Sequence, residues 1–130
     1  IKEGRAAFVS EDVAVPVSAM AELVRRLAAL PRPDGVDVAA YGHAGDGNLH
    51  VNLLATDAAQ APALGPLSEA VFRVALELGG TITGEHGVGS LKRPYLEWEQ
   101  GEALLGVQHA VKSALDPAGI LNPGKVLRDR

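Results

Sequence analysis

Two histidines flank a glycine-rich turn in the run Tyr41-Gly42-His43-Ala44-Gly45-Asp46-Gly47-Asn48-Leu49-His50-Val51-Asn52. Asp-Gly is favoured at the centre of a type I′ hairpin, where both residues need positive φ. With Asp46-Gly47 as that centre, Gly45 pairs with Asn48, Ala44 with Leu49 and His43 with His50. Facing imidazoles on one side of a hairpin have Cβ atoms roughly 4.5–5.5 Å apart, close enough for both rings to reach a single ion. A histidine on a strand is also an ordinary polar-face residue, and on the hairpin alone both readings stand.

Downstream, Thr81-Ile82-Thr83-Gly84-Glu85-His86-Gly87-Val88-Gly89 sets an acid beside a histidine between glycines, which let the backbone approach a ligand closely. Alone, Glu85-His86 also reads as a solvated loop pair. With His43 and His50 it completes a set of two imidazoles and one carboxylate, suited to Zn2+, Mn2+ or Fe2+. Three protein ligands leave a coordination position open for water or substrate.

The elements that must position these residues follow from periodicity and turn chemistry. Asp12 to Pro16 reads as a short strand, and Ser18 as the N-cap of a helix with apolar Met20, Leu23, Val24, Leu27 and Leu30, ending at Pro31. After a turn over residues 31–35 come two strands, Val36 to His43 and Asn48 to Leu54. His50 and Asn52 share one face, while Leu49, Val51 and Leu53 take the other and pack under helices. Residues 55–65 read as a loop. Leu67, Val71, Val74 and Leu78 mark a second helix closed by Gly79-Gly80, and Thr81 to Thr83 a short returning strand. Leu104, Val107, Val111 and Leu115 mark a third helix whose stripe reads as core. His109 is expected at the surface; Arg93, Tyr95 and Trp98 are read as packing and surface residues. Asn122-Pro123-Gly124 carries type II turn chemistry. The expected fold is α+β, an antiparallel sheet with helices packed on one face in the ferredoxin-like manner, its open face carrying His43, His50 and Asn52.

Composition limits the function. The 130 residues are 47% hydrophobic and 22% charged, which suits one globular domain with one core. A formal charge of −4 gives no basic footprint for nucleic acid. With no cysteine, any metal is held by nitrogen and oxygen. No apolar run reaches the roughly 20 residues of a membrane span and no leader is evident, so the chain is expected to be soluble and cytoplasmic. A first residue of Ile1 fits a partial protein.

Three strings together carry a resemblance: Gly42 to His50, Thr83 to Gly89, and Asp116-Pro117-Ala118-Gly119-Ile120-Leu121-Asn122-Pro123-Gly124-Lys125. From about Asp12 to Leu127 the chain resembles the C-terminal domain of FAD-linked 2-hydroxy-acid dehydrogenases. That family, within the vanillyl-alcohol oxidase type superfamily, includes the flavin subunit of glycolate oxidase, D-lactate dehydrogenases and D-2-hydroxyglutarate dehydrogenase. The resemblance implies that His43, His50 and Glu85 are metal ligands, Asn52 a substrate-pocket residue and His86 the catalytic base. It implies that Asn122 and Lys125 lie near the flavin. It also implies FAD as cofactor, bound mainly by an N-terminal domain absent from this chain, and a small D-2-hydroxy acid as substrate. The electron acceptor is not implied. The family's substrate-binding arginine is expected just before the chain begins, since Arg5 stands too close to the Asp12 strand to match it.

The chemistry is coherent with these residues. An alkanol is too weak an acid for histidine to deprotonate readily, and a bound cation removes that obstacle by lowering the pKa of a coordinated hydroxyl. Imidazole titrates near neutrality and suits the base. No G-x-G-x-x-G unit follows a strand, so the hydride is expected to go to flavin. Two other classes fit an open metal site: a metal-dependent hydrolase and a non-catalytic metal-binding module. Neither accounts for the Asn-Pro-Gly-Lys tail.

Overall fold

The computed structural model describes residues 4–128, so Ile1 and the outermost ends of the expected 1–130 domain lie outside the described residues. The chain divides into two compact units, residues 1–86 and 87–130.

The first unit runs β1 (Ala7–Ala14), α1 (Met20–Ala28), β2 (Val36–His43), β3 (Asn48–Ala55) and α2 (Leu64–Glu77). Its sheet is antiparallel in the order β1-β3-β2. This is the expected α+β class, with α1 and α2 packed on each other and against the sheet. The core gathers Val13, Val51, Leu53, Leu23, Leu27, Val71 and Phe72, all essentially inaccessible. As the middle strand, β3 is buried along its whole length. The face holding His50 and Asn52 is therefore less open than expected. The segment from Gly84 to His86 lies against it, where a Cβ on Gly84 would come within 2.3 Å of Asn48 Oδ1.

The hairpin register differs from expectation. His43 pairs with Asn48, Gly42 with Leu49 and Tyr41 with His50. The loop has four residues instead of two: Ala44–Asp46 form a 3-10 turn, and Gly47 follows at φ 71°, ψ 10°. The positive φ expected of Gly47 is present, but Asp46 is drawn into the 3-10 turn. Gly47 is further fixed because its carbonyl accepts the Val15 N–H at 2.9 Å. The shift in register is by two residues, an even number, so His43 and His50 remain on one face, as diagonal neighbours instead of a facing pair.

Three other expectations are corrected in this unit. Ser18 lies inside a 3-10 turn, Val17–Ala19, and makes no side-chain cap; α1 starts after it. Residues 55–65 are not a plain loop. Asp57 accepts the Ala59 N–H and Gln60 reaches back to the Asp57 N–H, a capping box that starts a 3-10 stretch, Ala58–Ala63, leading into α2. The returning strand at Thr81 reduces to one bridge with Ala14. There the Thr83 N–H faces Thr81 Oγ1 at 3.4 Å, a local bond that competes with ladder pairing.

The second unit holds a 3-10 turn, Arg93–Tyr95, and α3 (Leu96–Leu115). The helix is broken at Gly101, whose φ of 69° is not helical. Arg93 and Tyr95 do pack, Arg93 donating to the Gly124 carbonyl at 2.7 Å and Tyr95 meeting Trp98 edge to face. The third helix is present, but its stripe is not core: Leu104, Val107, Val111 and Leu115 are 47–76% exposed. Periodicity identifies an apolar face without saying what covers it. The expected turn forms, with the Lys125 N–H on the Asn122 carbonyl at 3.2 Å and Gly124 at φ 67°.

Candidate functional site

The site assembles in the first unit from three elements. β2 ends at His43, β3 supplies His50 from its buried middle, and the turn after Thr83 delivers Glu85 and His86. One ligand atom each from His43, His50 and Glu85 lies within 4.8 Å of the other two. Glu85 Oε1 is the meeting point, 3.2 Å from His50 Nε2 and 4.0 Å from His43 Nε2. A tetrahedral ion with bonds of about 2.0–2.1 Å holds its ligand atoms about 3.4 Å apart. The Glu85–His50 pair already has that spacing, and the exposed His43 ring has room to close the remainder. This donor set fits a divalent transition metal.

His86 stands beside the trio. Its Nε2 is 3.9 Å from Glu85 Oε1, and its ring stacks on that of His50 with centroids 5.1 Å apart. The His43 and His50 rings meet edge to face at 5.7 Å, and Tyr41, the cross-strand partner of His50, lies 5.3 Å from it.

Beneath the trio is a residue that sequence reasoning placed only at the start of a strand. Asp12, fully buried, pairs with His50 in the β1–β3 ladder. Its Oδ2 accepts the backbone N–H groups of Glu85 at 2.6 Å and His86 at 2.9 Å. Its Oδ1 accepts the Thr83 hydroxyl at 3.4 Å and lies 3.6 Å from His86 Nδ1. The signal in the sequence is a carboxylate set just before the apolar run Val13-Ala14-Val15, where burial of a charge demands partners.

Asn52 shares the His50 face, as expected. It is buried and its Nδ2 has no hydrogen-bond partner; the same holds for Asn48 Oδ1. A buried amide donor left without a partner is a natural contact for a polar ligand.

Asn122 and Lys125 belong to the second unit. They line a cavity of about 450 Å³ with His109, Lys112, Asp116 and Arg128. His109, expected at the surface, is half-buried on its wall. Asp116 organises this tail: it binds Lys112 and accepts the N–H groups of Ile120 at 3.1 Å and Leu121 at 3.0 Å. The Lys112 ammonium foremost, then those two N–H groups, hold its carboxyl below the usual range despite burial acting the other way. Arg5, read as unmatched to the substrate arginine, is engaged with Asp37 at 2.7 Å.

Comparison with known proteins identifies the family of the chain. The family described as FAD linked oxidases, C-terminal domain, matches residues 1–126. The chain is 41% identical over 121 residues to the glycolate oxidase subunit GlcD of Bacillus subtilis, covering 91% of this chain and 26% of that protein. It is 39% identical to the mitochondrial D-lactate dehydrogenase [cytochrome] of Kluyveromyces lactis, covering 90% of the chain and 20% of the relative. With the D-2-hydroxyglutarate dehydrogenase of Stutzerimonas stutzeri it shares 36% identity, covering 88% and 26%. The chain thus spans about a fifth to a quarter of the length of these relatives. With a match over nearly all its residues, the chain belongs to the family of C-terminal domains of FAD linked oxidases.

Proposed function

We propose that this chain is the metal- and substrate-binding portion of a longer FAD-dependent oxidoreductase. The reaction is oxidation of a D-2-hydroxy acid, of the glycolate, D-lactate or 2-hydroxyglutarate type, to the 2-oxo acid. The observation that carries the reading is the convergence of His43, His50 and Glu85 within 4.8 Å, in a chain of this family, with His86 beside the trio and outside it.

His43, His50 and Glu85 would hold a divalent cation, Zn2+ or Mn2+/Fe2+. Such a cation would supply Lewis-acid polarisation to a bound hydroxy acid. FAD, bound mainly by the part of the polypeptide outside this chain, supplies the hydride acceptor. His86 Nε2 takes the hydroxyl proton as the α-carbon gives up its hydride. The unpartnered Nδ2 of Asn52 donates to a substrate oxygen. Asn122 and Lys125 are assigned to the neighbourhood of the flavin, a role supported by the family's terminal motif. The partners are the hydroxy acid, the FAD-binding domain and an electron acceptor of undetermined identity.

The test is anaerobic mixing of the full-length, FAD-loaded protein with each of the three acids, before and after chelation of metal. Bleaching of the flavin by at least one acid, lost on chelation and restored by a divalent cation, is the expected result. A flavin that no 2-hydroxy acid reduces overturns the reading.

A further inference from the structure

We propose that Asp12 is the positioning residue of this site, fixing both the turn that presents Glu85 and the ring orientation of His86. The inference rests on the metal and base roles proposed above and adds a residue to them.

Two consecutive N–H groups, those of Glu85 and His86, converge on one oxygen of a fully buried carboxylate. Consecutive donors can share one acceptor only if the backbone curls around it. The sequence permits the curl. Gly84 packs where a Cβ would strike the Asn48 amide, and Gly87 has φ 77°. With the backbone pinned there, the Glu85 side chain leaves toward His50 and His43.

The second carboxylate oxygen faces His86 Nδ1 at 3.6 Å. A carboxylate facing Nδ1 favours the tautomer with the proton on that nitrogen. Nε2 also faces a carboxylate oxygen, that of Glu85, but at 3.9 Å and on a half-exposed side chain, so the nearer and fully buried Asp12 decides and leaves the lone pair on Nε2. That is where a base must accept a proton, and the pairing of base with orienting carboxylate is a recurring catalytic device. A separation slightly beyond hydrogen-bond length is common before substrate binds. Asp12 also stands opposite His50 in the ladder, so one residue spaces the turn against the strand that carries a ligand.

The test uses the 130-residue chain with 15N-labelled histidine, at a pH where the imidazoles are neutral. Imidazole 15N shifts report the tautomer of His86, and titration with Zn2+ or Mn2+ reports the metal site. In the wild type His86 is expected to be mainly Nδ1–H. In Asp12→Asn, of the same shape but without the charge, that preference is expected to disappear. Metal affinity should fall about 10- to 100-fold, the range for loss of a group that orients ligands. A wild-type His86 protonated on Nε2 overturns the proposal and needs no folded variant. An Asp12→Asn chain with unchanged tautomer and unchanged metal affinity overturns it too. A wild-type chain that binds neither cation, yet shows the Nδ1–H form lost in Asp12→Asn, supports the positioning role and removes the metal from the proposed function.

Discussion

At the scale of single residues, the chemistry separates Glu85 from His86 although they are neighbours. Glu85 Oε1 sits among the imidazole nitrogens, whereas His86 has one ring nitrogen toward Asp12 and the other toward the site. In the full-length protein, His86→Ala is expected to retain metal and FAD while flavin reduction slows by roughly 10²–10⁴-fold, the usual contribution of a general base. Glu85→Ala should lose metal together with rate. Stopped-flow bleaching with metal content measured on the same samples distinguishes them; loss of metal from the His86 variant would make it a ligand. Gly47 is the most exposed to substitution on structural grounds, since a Cβ there would lie 2.0 Å from the Val15 carbonyl oxygen and φ is already 71°. Gly47→Ala should cost roughly 2–4 kcal/mol in urea unfolding, from the left-handed backbone penalty and the displaced Val15 contact. Sequence made the His43 and His50 face legible even though the register was read two residues out, because strand alternation is insensitive to an even slip. Asp12 was not legible as a site residue. Its partners are backbone N–H groups more than 70 positions away, and no spacing rule encodes them.

At the scale of elements, the C-terminal tail depends on one carboxylate. Asp116 has its pKa lowered in the folded state by Lys112 and by the N–H groups of Leu121 and Ile120. Its contribution is therefore complete above the unfolded value of about 3.9 and is lost as pH falls through the depressed folded value. Amide protection of Ile120 and Leu121 is expected to hold at neutral pH and to decline in acid, and Asp116→Asn should reduce it at neutral pH as well. Equal protection in wild type and variant would show that the carboxylate does not order the tail. The first strand, read as Asp12 to Pro16, runs Ala7–Ala14, whereas β2, β3 and α2 were readable from turn chemistry and periodicity. The stretch over residues 55–65 was not, because its capping box sits in an Ala-rich run with no apolar period to announce it. In α3 the helix was readable and the fate of its stripe was not. Exposure of Leu115 and its neighbours depends on what packs against them, which periodicity does not contain.

At the scale of the whole molecule, the proposed metal site is built from two strands and a distant turn, so binding of a cation there would be coupled to folding of the first unit. Residues 43, 50 and 85 meet only when the hairpin and the Asp12 contacts are in place. A cation at 100 times its dissociation constant should therefore stabilise that unit by about 2.7 kcal/mol, seen as a rise in Tm that a chelator reverses. A Tm indifferent to both would mean that the ion binds folded and unfolded chain alike or binds neither. The same geometry allows a more direct measurement of the central claim, that His43, His50 and Glu85 form one metal centre. Co2+ titration of the chain, followed by its visible absorption, should give one ion bound per chain. His43→Ala, His50→Ala and Glu85→Ala should each weaken binding at least tenfold, while His109→Ala leaves it unchanged. Unchanged affinity in all three ligand variants would contradict the account.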